Sequence, residues 1–473
     1  MSAPLVIDLD GTLIHSDLLL ESGLSYIKRH PLRLLSPVRW LATGKAHLKS
    51  RLAQSAPVDV SVLPYNEDVL ELIRREKDQG RQIVLATASH RSYADQIAEH
   101  LGLFDQVLAS DGTTNLSAHR KRDALVAAFG EQGFDYAGNS SDDLPVWQSA
   151  RRAYLVNSNG KISRRAHGHG NVESEIKREA RVGKTWLKAL RVHQWAKNAL
   201  IFVPLLASHR ILEPQLLLNG LLAFLFFGLC ASSVYVLNDL LDLEDDRHHK
   251  SKCHRPFASG ALSIQSGLIA FPLLLIAGFA GSLALLPWKF TASLAAYYAL
   301  TLAYSFWLKR RMAIDVIVLA MLYTSRMIAG TFAFGSWLTF WMLAFSMFIF
   351  LSLALVKRYA ELREARAKGK SQKTRGRGYY PDDLEMIASL GAASGYLSVM
   401  VLALYIQDSS TAAMYHYPQL IWLACPLLLF WITRTWMLTH RGLMHDDPVV
   451  FAIKDRASLV IAACFALIFW IAA

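Results

Sequence analysis

Hydrophobic and polar positions divide the chain into two parts of different character. In residues 1–160 short apolar runs alternate with segments of helical periodicity. Four runs have the length and composition of strands: 5–9, 82–86, 135–138 and 153–156. Helical periodicity is clear at 67–79 and at 92–102. Strands that alternate with helices predict an α/β domain with a parallel sheet for residues 1–160.

After residue 197 the apolar runs become long enough to cross a bilayer. They predict an all-α polytopic membrane bundle of about nine transmembrane helices in residues 197–473. The predicted spans are 197–208, 215–237, 263–286, 290–308, 314–334, 337–356, 386–407, 418–438 and 457–472. The basic stretch 161–196 between the two parts carries Trp186, Leu187, Leu190 and Trp195 at helical spacing. It is interpreted as a linker that runs into an amphipathic interfacial helix. A solvated connector helix is the alternative.

Composition supports a membrane location, since 53% of the 473 residues are hydrophobic and only 19% are charged. This excludes an ordinary soluble enzyme. The net charge of +12 favours an anionic membrane surface or phosphorylated substrates. The predicted inner loops hold 20 Lys and Arg residues against two in the outer loops, which places the N-terminus on the cytoplasmic side of the cell (inner) membrane. The first residues are too acidic for a signal peptide, and four scattered cysteines suggest neither disulfides nor zinc.

Two carboxylates with a characteristic spacing follow the first predicted strand. Asp8 and Asp10 lie at i and i+2, so they point to the same side of an extended chain, and Gly11 allows a sharp turn after them. One can attack phosphorus while the other moves a proton and helps to hold Mg²⁺. Three further elements follow in order: Thr87 after a strand, Lys121 in a basic segment, and Gly138-Asn139-Ser140-Ser141-Asp142-Asp143 after another strand.

This set resembles the phosphatases of the haloacid dehalogenase (HAD) superfamily over residues 4–160. The resemblance implies Asp8 as nucleophile, Asp10 as general acid/base, and Thr87 and Lys121 as phosphoryl ligands. It also implies Mg²⁺ on Asp8, Asp10 and Asp143, and a small helical cap at about 16–64. Many relatives have Asp where this chain has Asn139, which puts the strength of Mg²⁺ binding in question. A degenerate, purely structural domain is the alternative.

A second acidic motif lies at the inner end of the second predicted span, in residues 238–246. Asp239, Asp242 and Asp246 are at i, i+3 and i+7, so a continuous helix would place them on one face. Three carboxylates together repel one another unless a divalent cation binds, and their hard oxygens favour Mg²⁺. Asn238, Lys250 and Arg255 accompany the motif as candidate substrate residues. A solvated acidic loop is the alternative.

This motif resembles that of the UbiA prenyltransferase superfamily, whose members are membrane helical bundles that bind a diphosphate through Mg²⁺. Most members have a second motif of DxxxD type, and none is found here. Cations and tyrosines stand in the corresponding loops and spans instead: Tyr304, Lys309, Tyr323, Arg326, Lys357 and Arg358. Cations suit a substrate with an additional phosphate. The pattern resembles the decaprenyl-phosphate phosphoribosyltransferase branch, although Lys357 and Arg358 are also compatible with ordinary positive-inside anchors.

The two resemblances together imply a bifunctional enzyme. The membrane part would transfer 5-phosphoribose from phosphoribosyl pyrophosphate (PRPP) to a polyprenyl phosphate and release pyrophosphate. The HAD part would remove the 5-phosphate, giving polyprenylphosphoryl ribose. Alternatives are an aromatic prenyltransferase of quinone or haem type, a HAD domain that acts on an unrelated phosphate ester, and a transporter or membrane scaffold. No nucleic-acid partner is expected, a homo-oligomer is possible, and the chain length of the lipid is not encoded in a recognisable form.

Overall fold

The computed structural model describes residues 3–33, 35–178, 182–336, 339–369, 377–408, 415–444 and 447–472. The chain forms two compact units. The sheet unit comprises Met1–Leu190 together with Tyr235–Phe271, and the helical unit comprises Arg191–Val234 together with Pro272–Ala473. The acidic motif at 238–246 therefore belongs to the same unit as the N-terminal sheet.

A parallel sheet forms the centre of the sheet unit, and its strand order is β3-β2-β1-β4-β5-β6 among the described residues. The strands are β1 (Leu5–Ile7), β2 (Ile83–His90), β3 (Gln106–Ser110), β4 (Asp135–Gly138), β5 (Arg152–Val156) and β6 (Val172–Ile176). Val6 of β1 pairs with Val84 on one side and with Tyr136 on the other. Because β1 is fully buried, both faces of the sheet are covered. The predicted α/β class with a parallel sheet is confirmed.

The two edge strands were not predicted from the sequence. β3 and β6 lie at opposite edges of the sheet and are only partly buried. Edge strands bury less surface, so their sequences need no apolar run, and Glu173 and Glu175 both fall in β6. Residues 160–176, which the sequence analysis places mainly in a linker, instead form a helix and β6. The N-terminal sheet thus extends past residue 160, as far as Ile176.

Nine helices of the sheet unit precede the second unit among the described residues. They are α1 (Leu18–Arg29), α2 (Ser36–Ala42), α3 (Lys45–Ser55), α4 (Glu67–Asp78), α5 (Arg91–Leu101), α6 (His119–Phe129), α7 (Leu144–Ser149), α8 (Gly160–His167) and α9 (Val182–Ala189). The helices predicted at 67–79 and 92–102 correspond to α4 and α5. The first three helices form an insert between β1 and α4, called here the helical insert (residues 16–64), with a small apolar core of its own around Tyr26, Leu48 and Leu52.

Most described helices of the second half are longer, and three are short. These helices are α10 (Val203–Ala207), α11 (Pro214–Leu241), α12 (Leu243–Arg247), α13 (Ile264–Leu285), α14 (Trp288–Phe306), α15 (Ile314–Phe334), α16 (Phe340–Ala367), α17 (Leu384–Gln407), α18 (Ala424–His440), α19 (Pro448–Lys454) and α20 (Arg456–Ala472). Six helical segments are long and apolar enough to span a membrane, or seven if the bent pair α19 and α20 counts as one span. These counts refer to the described residues.

The predicted number of nine spans is therefore not confirmed. The first predicted span, 197–208, consists of a 3-10 helix (Val192–Phe202) followed by the five-residue α10. The α-helical part of this segment rises only about 8 Å, and the segment is not among the candidate spans. The predicted span at 290–308 falls on α14, which has 19 residues but is not among the candidate spans.

The 3-10 helix packs tightly against α15 inside the helical unit. A Cβ atom at Gly330 would lie 2.0 Å from the carbonyl oxygen of Ile201. The glycine thus lets two backbones approach closely, as small residues do in membrane helix packing. This approach brings Lys197 and Asn198, both buried, beside the polar residues of α15.

Candidate active sites

The candidate phosphatase-like site lies at the carboxyl ends of three neighbouring strands. Asp8 and Asp10 follow β1, Thr87 lies in β2, and the loop with Asp143 follows β4. Because the order β2-β1-β4 places these ends side by side, side chains far apart in sequence meet at one edge of the sheet. Crevices at the carboxyl ends of parallel strands are the usual ligand sites of such sheets.

Lys121 of α6 joins two of these carboxylates. Its Nζ donates to Asp8 Oδ1 at 2.7 Å and to the Tyr136 hydroxyl at 2.9 Å, and it lies 3.4 Å from Asp143 Oδ1. Burial alone would lower the pKa of Lys121, but the charges of Asp8 and Asp143 raise it above its usual value. The ammonium is thus held charged at the centre of the site, where it can neutralise a phosphoryl oxygen.

Asp10 is held by a different set of donors. Its Oδ1 accepts from the Leu18 backbone N–H at 2.8 Å, and its Oδ2 accepts from the Ser89 hydroxyl at 2.6 Å. The Ser89 backbone N–H donates in turn to Thr87 Oγ1 at 2.9 Å. Burial raises the pKa of both the Asp8 and Asp10 carboxyls. A raised pKa suits Asp10 to hold and release a proton near neutral pH.

The loop after β4 anchors Asp143 from several directions. Its Oδ2 accepts from the backbone N–H groups of Asn139 and Ser140, both at 3.0 Å, and its Oδ1 accepts from the Tyr136 hydroxyl at 2.7 Å. The side chain of Asn139 lies against Gly11, where an added Cβ would be 2.0 Å from Asn139 Nδ2. Gly11 has φ +77°, so both the backbone conformation and this contact require glycine.

Sequence analysis missed two residues of this site. Ser89 contacts Asp10, and Tyr136 contacts both Lys121 and Asp143. The position of Ser89 two residues after Thr87 was an available signal, because alternate residues of a strand share a face. Tyr136 had no comparable signal, since a tyrosine in a buried strand is usually a packing residue.

The second site region is the acidic segment, defined as residues 238–260 of the sheet unit. The helix that would place all three carboxylates on one face is interrupted, because α11 ends at Leu241 and α12 begins at Leu243, with Asp242 between them at φ −103° and ψ 18°. Asp239 and Asp246 still meet, since Arg255 Nη1 lies 3.1 Å from Asp239 Oδ1 and 2.7 Å from Asp246 Oδ2. Asp242 instead contacts Lys28 of the helical insert at 2.6 Å.

The other candidate residues of this segment differ in placement. The Asn238 carbonyl accepts from the Asp242 backbone N–H at 2.9 Å, and its side chain is half-buried. Lys250 is exposed. The Arg255 side chain contacts the carboxylates of Asp239 and Asp246.

The carboxylates of both regions have the donor chemistry that Mg²⁺ prefers. In the phosphatase-like site Asp8 and Asp143 converge on one ammonium, and in the acidic segment Asp239 and Asp246 converge on one guanidinium nitrogen. Each pair of carboxylates thus surrounds a position that a cationic side chain occupies. Among the described residues, no three His, Cys, Asp or Glu side chains already lie in an arrangement that could hold a metal.

In the helical unit, the Asp447 carboxylate contacts the side chains of Lys197, Lys357 and Tyr323. Its Oδ2 lies 2.8 Å from Lys197 Nζ and 3.2 Å from Lys357 Nζ, and its Oδ1 accepts from the Tyr323 hydroxyl at 2.9 Å. Asp447 also caps α19 by accepting from the Val449 backbone N–H at 3.2 Å. Neither Lys197 nor Asp447 was a predicted site residue. An Asp before Pro448 is a recognisable helix start, but only the fold brings it to the two lysines.

A second cluster of the helical unit surrounds the fully buried Asp315. Tyr304 donates to its Oδ1 at 2.8 Å, Arg358 Nε lies 2.8 Å from its Oδ2, and Arg377 Nη1 is 3.2 Å from Oδ1. Two predicted substrate residues, Tyr304 and Arg358, therefore meet here. Arg358 also pairs with Glu361, and none of its side chain is available to solvent.

The remaining two candidates of the helical unit are Arg326 and Lys309. Arg326 is buried, lies 3.1 Å from both Asn198 Oδ1 and the Tyr297 hydroxyl, and stacks on the Tyr297 ring with 5.0 Å to its centroid. These contacts satisfy a buried cation that would otherwise be very unfavourable in a membrane. Lys309 is half-buried in a 3-10 turn, Leu308–Arg310.

Comparison with family models accounts for both units. The model of the UbiA prenyltransferase family matches residues 199–454, more than half of the chain. The chain belongs to the UbiA prenyltransferase family. The model of the haloacid dehalogenase-like hydrolases matches residues 5–148. Both resemblances are thereby confirmed, and the apolar helices together with the UbiA family make this an integral membrane protein with a HAD-like N-terminal domain.

Three relatives show how far the similarity extends. "Uncharacterized protein y4nM" of Sinorhizobium fredii is 39% identical over 468 residues, which cover 98% of this chain and 90% of that protein. "Nodulation protein NoeC" of Azorhizobium caulinodans is 38% identical over 280 residues, which cover 58% of this chain and 89% of that protein. "Decaprenyl-phosphate phosphoribosyltransferase" of Mycobacterium tuberculosis is 30% identical over 285 residues, which cover 58% of this chain and 90% of that protein. The first is similar across both parts of the chain, and the phosphoribosyltransferase is similar over the UbiA part.

Proposed function

We propose that this UbiA-family protein transfers 5-phosphoribose from PRPP to a polyprenyl phosphate of decaprenyl type. Its HAD-like domain then removes the 5-phosphate to give polyprenylphosphoryl ribose. The observation that carries the transferase step is the 30% identity to decaprenyl-phosphate phosphoribosyltransferase over 90% of that protein's length. The two lysines beside Asp447 support it, because ammonium groups can bind the phosphate of a substrate.

The transferase step is a substitution at the anomeric carbon of the ribose. An oxygen of the lipid phosphate forms a bond to that carbon, and the bond to the pyrophosphate oxygen breaks, so pyrophosphate leaves with the electron pair. A phosphate monoester is already ionised near neutral pH, so no strong base is required. Asp239, Asp242 and Asp246 would hold Mg²⁺, which neutralises a pyrophosphate leaving group. Lys197 and Lys357 supply positive charge for a phosphate of either substrate.

The phosphatase step uses the residues at the sheet edge. Asp8 attacks the 5-phosphorus while Asp10 donates a proton to the departing ribose oxygen, and water then hydrolyses the aspartyl phosphate with Asp10 as base. Lys121 and Thr87 bind the phosphoryl oxygens, and Ser89 keeps Asp10 oriented through its hydrogen bond of 2.6 Å. Asp8, Asp10 and Asp143 would hold the Mg²⁺ that HAD phosphatases use.

The test is a product analysis with purified full-length protein in detergent. Wild type and Asp8→Asn are incubated with PRPP, Mg²⁺ and a polyprenyl phosphate, and the lipid is analysed by mass spectrometry. We expect polyprenylphosphoryl ribose from wild type and the same lipid with one additional phosphate from Asp8→Asn. An exposed aspartate of α4, Asp78, provides the matched control Asp78→Asn, which should behave like wild type.

Each alternative gives a different product pattern. Phosphoribosyl lipid from wild type and Asp8→Asn alike would retain the transferase and assign the HAD-like domain to another phosphate ester. No ribosylated lipid from either would contradict the PRPP proposal and favour an aromatic prenyltransferase. Both active sites are proposed to face the cytoplasm, which access of PRPP to oriented membrane vesicles would test.

A further inference from the structure

The helical insert and the acidic segment meet through side chains of opposite charge within the sheet unit. Lys28, in the last turn of α1, places its Nζ 2.6 Å from Asp242 Oδ1 and 2.8 Å from Asp245 Oδ2. Arg247 donates to both oxygens of Glu21 at 2.7 and 2.8 Å. Two more exposed pairs join the same elements, Arg29 with Glu244 at 3.9 Å and Asp59 with His248 at 3.1 Å.

The Glu21–Arg247 pair fixes the position of α1 on the acidic segment. Both side chains are about 5% exposed, and the two parallel hydrogen bonds restrict their relative orientation. Arg247 Nε also donates to the Ala258 carbonyl at 2.9 Å. Since Glu21 and Lys28 are seven residues apart, they share one face of α1. The anchored helix therefore holds Lys28 at Asp242.

Two cations of the chain divide the three carboxylates of the motif. Arg255 contacts Asp239 and Asp246, and Lys28 contacts Asp242. An ammonium within hydrogen-bond distance of a carboxylate reduces its attraction for a second cation, because the two positive charges repel. With about 30% of both Lys28 and Asp242 exposed, solvent screens this effect without removing it.

We propose that Lys28 is a positioning residue for the acidic motif, holding Asp242 and thereby weakening the binding of a divalent cation by Asp239, Asp242 and Asp246. The HAD-like domain then sets the metal affinity of the transferase, apart from any hydrolysis that it catalyses. This inference rests on the proposed function, in which the motif binds Mg²⁺.

The test measures Mn²⁺ binding directly, by electron paramagnetic resonance of the free ion, on the full-length protein in detergent. The Asp239→Asn/Asp242→Asn double variant identifies the binding that belongs to the motif and separates it from the phosphatase-like site. Lys28→Met is compared with Lys28→Arg, which keeps the charge. Lys161→Met, at an exposed lysine of α8, is the matched control.

We expect Lys28→Met to bind Mn²⁺ about fivefold more tightly at the motif, the scale of a partly exposed ion pair. Lys28→Arg and Lys161→Met should match wild type. Unchanged or weaker binding by Lys28→Met, or tighter binding by Lys28→Arg as well, would overturn the role of Lys28. Hydrolysis of p-nitrophenyl phosphate by the same samples verifies that the sheet unit is folded.

The inference and the proposed function fail differently. If wild type binds no Mn²⁺ that the double variant loses, the motif is not a metal site, and both proposals are overturned. If that binding is present and only Lys28→Met behaves like wild type, the transferase proposal stands and the role of Lys28 does not.

Discussion

The phosphatase-like site and the acidic motif assemble carboxylates in opposite ways. Asp8 and Asp143 are distant in sequence, but a carboxylate oxygen of each lies within 3.4 Å of the Lys121 Nζ atom. Asp239, Asp242 and Asp246 are close in sequence, yet they are divided between two cations. A parallel sheet forces the ends of adjacent strands together, whereas a short helical segment can break and turn its side chains apart. Spacing along the chain is thus a weaker guide to convergence than strand order.

The comparison predicts that the two sites are chemically separable. Asp8→Asn removes the nucleophile, so hydrolysis should fall by about 10³-fold or more while phosphoribosyl transfer changes less than about twofold. Asp239→Asn should have the reverse effect, with transfer reduced about 10²-fold through the loss of a metal ligand. Separate assays with p-nitrophenyl phosphate and with PRPP measure both. Loss of both activities in either variant would show that the sites are not independent.

The two arrangements should also differ in what one carboxylate contributes to stability. Asp143 is 1% exposed and holds two backbone N–H groups as well as Tyr136, so Asp143→Asn should lower the free energy of unfolding by about 3 kcal/mol. Asp246 is also buried, but its ion-pair partner Arg255 is partly exposed and keeps Asp239, so Asp246→Asn should cost less, about 1.5 kcal/mol. Thermal unfolding of the two variants provides the comparison. Equal decreases in melting temperature for the two variants would contradict this predicted difference.

A further prediction concerns Asn139, which stands where the resemblance to HAD phosphatases implies an aspartate. Asn139→Asp keeps the size of the side chain against Gly11 and adds a hard oxygen ligand near Asp143. The Mg²⁺ concentration that half-saturates hydrolysis should fall by about tenfold. Asp142→Asn, at an exposed position of the same loop, is the control and should leave it unchanged. A higher Mg²⁺ requirement in Asn139→Asp would show that the amide is part of the native site.

The smallest effect is expected at Lys250. This lysine was a candidate from its proximity in sequence to the acidic motif, but its side chain is exposed. Lys250→Met should change the KM for PRPP by less than about twofold, as is usual for exposed side chains. Arg255→Met, in contrast, removes the shared partner of Asp239 and Asp246 and should raise the KM for PRPP by more than Lys250→Met does. An increase in KM of tenfold for Lys250→Met would restore it as a substrate ligand.

Strongly apolar elements were predictable from the sequence, and weakly apolar ones were not. The central strands β1, β2, β4 and β5 are mostly buried, and each contains at least two adjacent apolar residues. The edge strand β6 reads Val-Glu-Ser-Glu-Ile and was assigned to a linker. Length was the other source of error, since the apolar residues at 197–208 form a 3-10 helix and a short helix instead of a span.

The sequence by itself determined the two chemical classes of this protein, because the DxD strand, the lysine and the acidic loop of the HAD-like domain each carry local signals, as does the UbiA motif. Only the tertiary structure decided which side chains neutralise which. Lys28 at Asp242 and Lys197 at Asp447 are 214 and 250 residues apart in the chain. Long-range ion pairs depend on how packed elements bring charges within a few ångströms, and no periodicity along the chain encodes that distance.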